Sequence, residues 1–259
     1  MTERRLNPAM PGLEIVGDSF DTESGLPKEV RVAGLGMAML LVPAGEVEMG
    51  SEAWRDAQPV HAVFAEPFYL GKFEVTQKEW SALGFENPSE VKGEKLPVHG
   101  VSWSEARGWI GKLNARTGGA FRLPTEAEWE RAAKLTGSGE NIPLSERAWF
   151  RGNSATSAVP GFRELTGYAP RAVGMKRPSP AGFFDLQGNV AEWCSSLIRP
   201  YPFDGRDGRE ADDSGGAANA LRAVRGGAFA DAPEYLDPAF RHSERSARRS
   251  RWIGLRLAR

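Results

Sequence analysis

The side chains that most often carry out chemistry are scarce in this sequence, which has one cysteine, Cys194, and three histidines, His61, His99 and His242. A single cysteine excludes an intrachain disulfide and any metal site built from several cysteines. The histidines lack H-x-x-x-H spacing, and their arrangement does not resemble the facial triad that holds non-haem iron. The sequence also lacks a G-x-S-x-G turn, a P-loop and a dinucleotide fingerprint. It therefore offers no recognisable catalytic group.

Arginine is concentrated near the carboxyl end of the chain, with few acidic residues close by in the sequence. The residues are Arg241, Arg245, Arg248, Arg249 and Arg251. Such a run is typical of a loop exposed to solvent, and on charge alone this is the simpler interpretation. A surface that binds an acidic or carboxylate-rich partner would have the same composition.

Length and composition indicate a globular protein. The chain has 259 residues, of which 41% are hydrophobic and 26% charged, and its formal net charge is -1. This composition excludes general disorder, and the charge balance disfavours a nucleic-acid binder with an overall basic surface. The counts of Gly (30), Pro (18) and Trp (8) are high. They predict short regular elements joined by long ordered loops.

No segment predicts export or membrane insertion. Two arginines near the amino end are not followed by an apolar stretch, so this region does not resemble a secretory signal. The most apolar run, residues 32–42, is far shorter than the ~20 residues of a membrane-spanning helix. We therefore expect a cytoplasmic protein without a membrane span.

The elements that must position any site can be predicted from local patterns. Three Ser/Thr-x-x-Glu sequences begin at Thr76, Ser102 and Thr125, and each has the spacing of a capping box at a helix start. Beyond Lys134 there is no comparable helical signal. Short strands are predicted at 40–50, 61–64, 68–75, 182–186, 223–229 and 252–257. The fold class is therefore α+β.

Seven local motifs occur in one order along the chain. They read VPAG at 42–45 with MGS at 49–51, FEVT at 73–76, PV at 97–98 with VSW at 101–103, RLPTEAEWE at 122–130, GNVAEW at 188–193, RGGAF at 225–229 and IGLR at 253–256. This series resembles the formylglycine-generating-enzyme (sulfatase-modifying factor) family, a branch of the C-type-lectin fold. The resemblance predicts one domain of that fold over residues 36–259, after an N-terminal extension at 1–35.

The best-known chemistry of that family is not expected here. Members that oxidise a substrate cysteine bind copper through two cysteines in their C-terminal segment, and residues 225–256 contain none. One thiolate cannot replace two in holding Cu(I). We therefore expect no copper and no enzymatic activity of this kind, and we expect Cys194 to be an ordinary buried thiol.

The resemblance also implies a structural calcium site. Asp185 and Glu192 would supply carboxylate oxygens, and Gly188 and Val190 would supply backbone carbonyl oxygens, which are the hard ligands that Ca²⁺ prefers. The family usually has Asn where Asp185 stands. The alternative is that Glu192 only caps a turn.

A second resemblance concerns residues 225–256, which are similar to the variable region of diversity-generating-retroelement variable proteins. In those proteins the frame Arg-Gly-Gly-Ser-Trp, Ala-x-Arg and Ile-Gly-Phe-Arg is fixed, and positions between are mutagenised. Here the frame reads RGGAF at 225–229, AFR at 239–241 and IGLR at 253–256. The interior residues of the expected types, named here the candidate ligand residues, are Asp231, Tyr235, Asp237, Phe240, His242, Ser243, Arg245, Arg248, Ser250 and Arg251.

These observations predict a non-catalytic ligand-binding protein that displays the candidate ligand residues on a lectin-type scaffold. The expected ligand is another macromolecule, a protein rather than a nucleic acid. Two alternatives remain open. One is an oxidoreductase or maturation factor of the formylglycine-generating-enzyme family with an altered site. The other is a scaffold or regulatory module that uses the fold for assembly.

Overall fold

The computed structural model describes residues 10–135, 142–156, 167–210 and 219–259. The strands are β1 (Leu13–Ile15), β2 (Glu29–Val32), β3 (Ala38–Val42), β4 (Gly45–Met49), β5 (His61–Ala65), β6 (Phe68–Gly71), β7 (Ala191–Leu197), β8 (Leu221–Arg225), β9 (His242–Arg245) and β10 (Ile253–Gly254). The helices are α1 (Gln77–Ala82), α2 (Trp103–Thr117), α3 (Glu126–Lys134) and α4 (Leu144–Arg147), with 3₁₀ turns at Arg55–Ala57 and Pro233–Leu236. Short elements of both kinds confirm the α+β class.

The first sheet has the order β1-β2-β3-β6, and all its pairs are antiparallel. Its first two strands come from the segment predicted as an N-terminal extension. Val30 and Val32 alternate with exposed or half-buried residues along β2 and are fully buried in the core. The described part of that segment, residues 10–35, therefore packs with the sheet, and residues 1–9 lie outside the described residues.

The second sheet has the order β10-β7-β8-β9 and carries the C-terminal segment. β10 runs parallel to β7, while β8 is antiparallel to both β7 and β9. A separate hairpin, β4-β5, lies against α3. The chain between β8 and β10 thus leaves the sheet, returns as β9 and leaves again.

All three predicted helix starts are confirmed. In α1, α2 and α3 the cap hydroxyl accepts a hydrogen bond from the third backbone N–H, and the third residue, Glu, accepts one from the cap backbone. The strand predicted at 182–186 is wrong, because this stretch is a turn. Gly182 and Asp185 have positive φ angles of 89° and 55°, which an extended strand cannot contain.

Tryptophan builds the core around which the sheets and helices pack. Trp80, Trp109, Trp129 and Trp193 are fully buried, and each indole N–H of these four donates to a protein oxygen. Cys194 is also fully buried, and burial raises the pKa of its thiol well above the usual value. This thiol is an inert core group, as its sequence context predicted. In the described ranges, no helix is long and apolar enough to cross a bilayer.

Candidate functional site

The segment from 225 to 256 contains both buried and accessible residues. The frame residues Arg225, Phe229, Ala239, Arg241 and Leu255 are all buried. None of the candidate ligand residues is buried: four are exposed and six are half-buried. The four exposed ones are Tyr235, His242, Arg245 and Arg248.

The frame begins with a turn that only glycine can make. Gly226 and Gly227 have φ angles of 96° and 66°. A Cβ on Gly227 would lie 2.7 Å from the backbone oxygen of Tyr235, and one on Gly226 would lie 3.0 Å from that of Leu186. The Gly-Gly pair therefore allows the segment to fold back closely on the body of the domain.

Buried ion pairs then attach the segment to α3. Arg225 donates from Nη1 to Oε1 of Glu126 over 2.8 Å and from Nη2 to Glu130. Arg241 donates from Nε to Oε1 of Glu126 over 2.6 Å and from Nη2 to Oε2 over 2.8 Å. All four side chains are almost entirely inaccessible. Pairs with this geometry fix the path of the segment, because removal of one partner leaves an uncompensated buried charge.

Further bonds from these arginines reach three backbone oxygens. Arg225 donates to the oxygen of Pro238, and Arg241 donates to those of Asp56 and Arg199. The two guanidinium groups thus join α3, the β4-β5 loop, the stretch after β7 and the C-terminal segment. This network forms the floor beneath the accessible residues.

Two adjoining clefts open above that floor. The first has a volume of ≈ 220 Å³, and the second has a volume of ≈ 430 Å³. His242 lines both. The candidate ligand residues that line one or both clefts are Asp231, Tyr235, Phe240, His242, Ser243 and Ser250.

Two of the predicted ligand residues also hold the local backbone. Asp231 accepts a hydrogen bond from the Ala228 N–H over 2.8 Å, and burial raises the pKa of its carboxyl while that bond opposes the rise. Asp237 accepts from the Ala239 N–H over 2.8 Å and, through its other oxygen, from the indole of Trp54. Both carboxylates therefore shape the site as well as bordering it.

The arginine run is less positive than the sequence suggests. Arg241 is buried and paired with Glu126, as described above. Arg248, Arg249 and Arg251 pair with Glu244, Glu105 and Glu90, respectively. The Arg245 guanidinium has no carboxylate within 4 Å in the described part of the chain, although the Arg245 N–H donates to Glu244 over 2.8 Å. Arg245, Arg248 and Arg251 line neither cleft.

Trp54 belongs to this site although the sequence did not single it out. Its ring centroid lies 4.8 Å from that of Phe240 and 5.9 Å from that of Tyr235, and the last two lie 5.1 Å apart. Its indole N–H donates to Asp237 over 3.1 Å. No local pattern marks this residue, because its partners are far away along the chain.

Of the two carboxylates predicted to bind calcium, Glu192 is engaged by protein groups, while the buried Oδ1 of Asp185 has no hydrogen-bond partner among the described residues. The Arg256 guanidinium lies 2.7 Å from Oε1 of Glu192, and the Trp129 indole donates to Oε2 over 2.7 Å. A fixed cation thus already neutralises this carboxylate. Asp185 accepts from the Gly174 N–H, and burial raises its pKa to about 6. In the described ranges, no three His, Cys, Asp or Glu side chains are grouped to hold a metal.

Gly188 and Val190, the predicted carbonyl ligands, belong to the turn that carries Glu192. The Gly188 N–H donates to the oxygen of Gly226, and the Val190 N–H donates to the buried carboxylate of Glu74. This turn is therefore held by protein groups. It links β7 to the glycine turn at the start of the frame.

The three histidines occupy separate places. His99 is fully buried, where its Nε2 accepts from the N–H of Glu90 over 3.2 Å. Nε2 of His61 accepts from the N–H of Phe203 over 2.6 Å. Only His242 lines the clefts. The ring nitrogens of His61 and His99 thus serve the fold.

Comparisons with known proteins identify relatives of this chain in sequence and in fold. The family described as the sulfatase-modifying factor enzyme 1-like domain matches residues 24–259. Chaperone protein LppX of Paenibacillus barcinonensis is 30% identical over an alignment of 202 positions, which covers 60% of this chain and 70% of LppX. Hercynine oxygenase of Mycolicibacterium smegmatis is 26% identical over an alignment of 294 positions, which covers 91% of this chain and 64% of the oxygenase.

Among solved structures, Treponema denticola variable protein 1 is similar, with a TM-score of 0.70 and 27% identity. The match covers 89% of this chain and 98% of that chain. Both resemblances predicted from the motifs are therefore confirmed, and so is the lectin-type fold that they implied.

Proposed function

The chain belongs to the family of sulfatase-modifying factor enzyme 1-like domains, and from this premise we propose that it is a non-catalytic ligand-binding protein. Its diversified surface lies on the segment 225–256, and its ligand is a protein. The observation that carries the proposal is the division of this segment by burial. Every frame residue named above is inaccessible, whereas every candidate ligand residue is accessible.

This division separates folding from recognition. The free energy of unfolding depends on the buried frame, where a lost ion pair or a new cavity costs several kcal/mol. Substitutions at accessible positions usually change it by less than about 0.5 kcal/mol. Residues such as Tyr235, His242 and Arg245 can therefore change from one variant to another while the backbone that presents them stays in place.

The chemistry of the accessible residues suits binding. Tyr235 and Phe240 offer large rigid rings, and Ser243, Ser250 and His242 offer adaptable hydrogen-bonding groups. The similarity to a protein named variable protein 1 supports a surface that differs between copies. LppX bears the name of a chaperone, which supports a protein ligand.

The experiment that tests this proposal is to sequence the genomic DNA on both sides of the gene. We expect a near-identical copy of the segment coding for residues 225–256 beside a reverse-transcriptase gene. The copy should carry adenines at the codons of the candidate ligand residues. Flanking DNA without such a copy would contradict diversification and would favour the scaffold alternative.

The relatives named hercynine oxygenase favour a second candidate, an oxidoreductase with an altered site. Its test is to incubate the full chain with Cu(I) or Fe(II) and oxygen, and to supply in turn a Cys-containing peptide of the sulfatase type and hercynine with a thiol. Mass spectrometry would detect an aldehyde or a sulfoxide. Clear turnover would overturn the non-catalytic proposal.

A further inference from the structure

The β4-β5 loop reaches into the site from outside the C-terminal segment. Trp54 contacts Phe240 and Tyr235 through its ring and Asp237 through its indole N–H. The three rings form a mutually packed group, named here the aromatic cluster. Tyr235 is 39% exposed. A ligand that contacts Tyr235 is therefore within reach of a side chain that lies outside the segment 225–256.

The loop is held in one shape. The Ser51 N–H donates to the oxygen of Ala57 over 3.1 Å, and the Gly50 N–H donates to the buried carboxylate of Glu130 over 2.8 Å. Arg241 donates to the oxygen of Asp56. A Cβ on Gly50 would lie 2.3 Å from the Ala57 oxygen, so glycine is required for this closure. Trp54 is thus preorganised, and its use in binding costs little conformational entropy.

The second cleft lies next to the aromatic cluster and is bordered by cations. Arg55 and Arg199 line it and are exposed. In the described part of the chain, no carboxylate lies within 4 Å of the Arg55 guanidinium. Nε of Arg199 is 3.9 Å from Asp207, whose carboxylate is engaged by Arg209 over 2.8 Å. Neither guanidinium is closely paired.

Two further charged residues contribute to the net charge around this cleft. Asp56 lines it and offsets one cation. Arg245 does not line the cleft, but it lies two residues after Ser243 on β9 and therefore on the same face of that strand, and its guanidinium has no carboxylate partner within the described ranges. Arg241 also lines the cleft, but Glu126 neutralises it. The net charge around the second cleft is therefore positive.

We propose that Trp54 and Arg55 are a constant part of the ligand surface, and that the ligand is an acidic protein segment with a large apolar side chain. The apolar side chain packs on the aromatic cluster and enters the first cleft, while neighbouring carboxylates face Arg55, Arg199 and Arg245. This inference rests on the proposed function, because it names the partner chemistry of the same surface. The shared position of His242 between the two clefts makes the two contacts adjacent.

The test is a selection of phage-displayed random 12-residue peptides on the full chain. The affinity of each selected peptide is then measured by fluorescence anisotropy with wild-type protein and variants. Trp54→Ala removes the constant anchor, and Arg55→Glu with Arg199→Glu reverses the cationic border at exposed positions. Matched controls are Phe64→Ala, which removes an exposed ring outside both clefts, and Lys78→Glu, which reverses an exposed charge on α1.

We expect the selected peptides to carry an aromatic or large aliphatic residue beside Asp or Glu. Trp54→Ala and the double charge reversal should each weaken binding by about 10-fold or more, as anchor residues do. The affinity of both control variants for the peptides should stay within about 2-fold of that of the wild-type protein. Binding should also weaken as salt rises, because exposed charges are screened. Thermal melts of each variant show whether the fold is retained.

A third variant separates the two proposals. Tyr235→Ser, Phe240→Ser and His242→Ser together remove the accessible core of the surface. If this triple variant loses the peptides while Trp54→Ala and the charge reversal keep them, the inference about the constant loop is overturned and the proposed function stands. If the triple variant binds as well as wild type, or if no peptide binds the wild-type chain, the proposed function itself fails.

Discussion

Arg241 binds both carboxylate oxygens of Glu126, with Nε 2.6 Å from Oε1 and Nη2 2.8 Å from Oε2. The residues on either side of it, Phe240 and His242, both line the first cleft. A single buried pair between the segment and α3 therefore positions two accessible side chains. This relationship connects the stability of the frame to the shape of the binding surface.

Loss of this pair should be costly. Arg241→Ala leaves Glu126 buried with only part of its charge compensated, so we expect the free energy of unfolding to fall by about 3 kcal/mol. Arg245→Ala, on the neighbouring strand and exposed, should change it by less than about 0.5 kcal/mol. Urea unfolding followed by tryptophan fluorescence measures both. Equal effects of the two substitutions would show that the pair does not anchor the segment.

The glycine turn at the start of the frame can be tested with a matched pair. Gly227 and Gly36 have similar φ angles of 66° and 70°. They differ in their surroundings, because a Cβ on Gly227 would lie 2.7 Å from the backbone oxygen of Tyr235, whereas one on Gly36 would have no neighbour within 4 Å. Gly36→Ala should cost only the backbone strain of about 1 kcal/mol. Gly227→Ala should cost at least about 1 kcal/mol more, because the segment must move. Denaturant unfolding of the two variants gives this difference, and equal losses would refute the close approach.

Helices α1, α2 and α3 were predictable because their signals are local, whereas α4, which has no side-chain cap, was not predicted. Thr76, Ser102 and Thr125 each carry their capping partner three residues later. The frame pattern did not mark every buried position of the C-terminal segment, since Ala230, Leu236 and Ser246 are also buried. The turn at 182–186 was missed because Asp185, which is not glycine, adopts a positive φ that tertiary contacts stabilise.

Long-range partners were beyond the reach of local patterns. The sequence shows Arg241 as one member of a basic run, and only the fold brings it to Glu126. It likewise shows Glu192 as a candidate calcium ligand, while the fold brings Arg256 to its carboxylate. Trp54 joins the site for the same reason, since its contacts come from the other end of the chain.

His99 makes the stability depend on pH. Burial lowers its pKa from the usual 6.5 to about 4. Between pH 4 and pH 6.5 the unfolded chain therefore binds a proton more readily than the folded protein does. The contribution of neutral His99 to the free energy of unfolding is fully present above pH 6.5, and it is lost as the pH drops towards 4. The whole contribution is about 3 kcal/mol.

The measurement is urea unfolding at pH 7.5 and pH 5.0 for wild type and for His99→Gln. The variant is expected to be less stable at both values, but it should lack the part of the pH dependence that His99 contributes. Equal pH dependence in the two proteins would contradict the assignment. The comparison cancels the effects of other titrating groups.

Calcium should not stabilise this protein through the predicted ligands. Because Arg256 already neutralises Glu192, a bound divalent ion would meet a fixed positive charge. We expect melts with EDTA and with added Ca²⁺ to agree within about 1 °C. A rise of several degrees in Ca²⁺ alone would show that an ion binds the folded state and would support the calcium prediction.

The proposed function requires that the surface can change while the frame holds the fold. Two libraries test it, each with five positions randomised in the full chain. The surface library varies Tyr235, Phe240, His242, Arg245 and Ser250. The matched frame library varies Arg225, Ala239, Arg241, Ile253 and Leu255.

The measurement is thermal unfolding of a few dozen random members of each library, followed by selection of the surface library on an arbitrary folded protein such as lysozyme. We expect most surface members to unfold cooperatively within about 5 °C of the parent, few frame members to fold, and binders to be selected from the surface library. Surface members that lose cooperative unfolding as often as frame members would contradict this expectation.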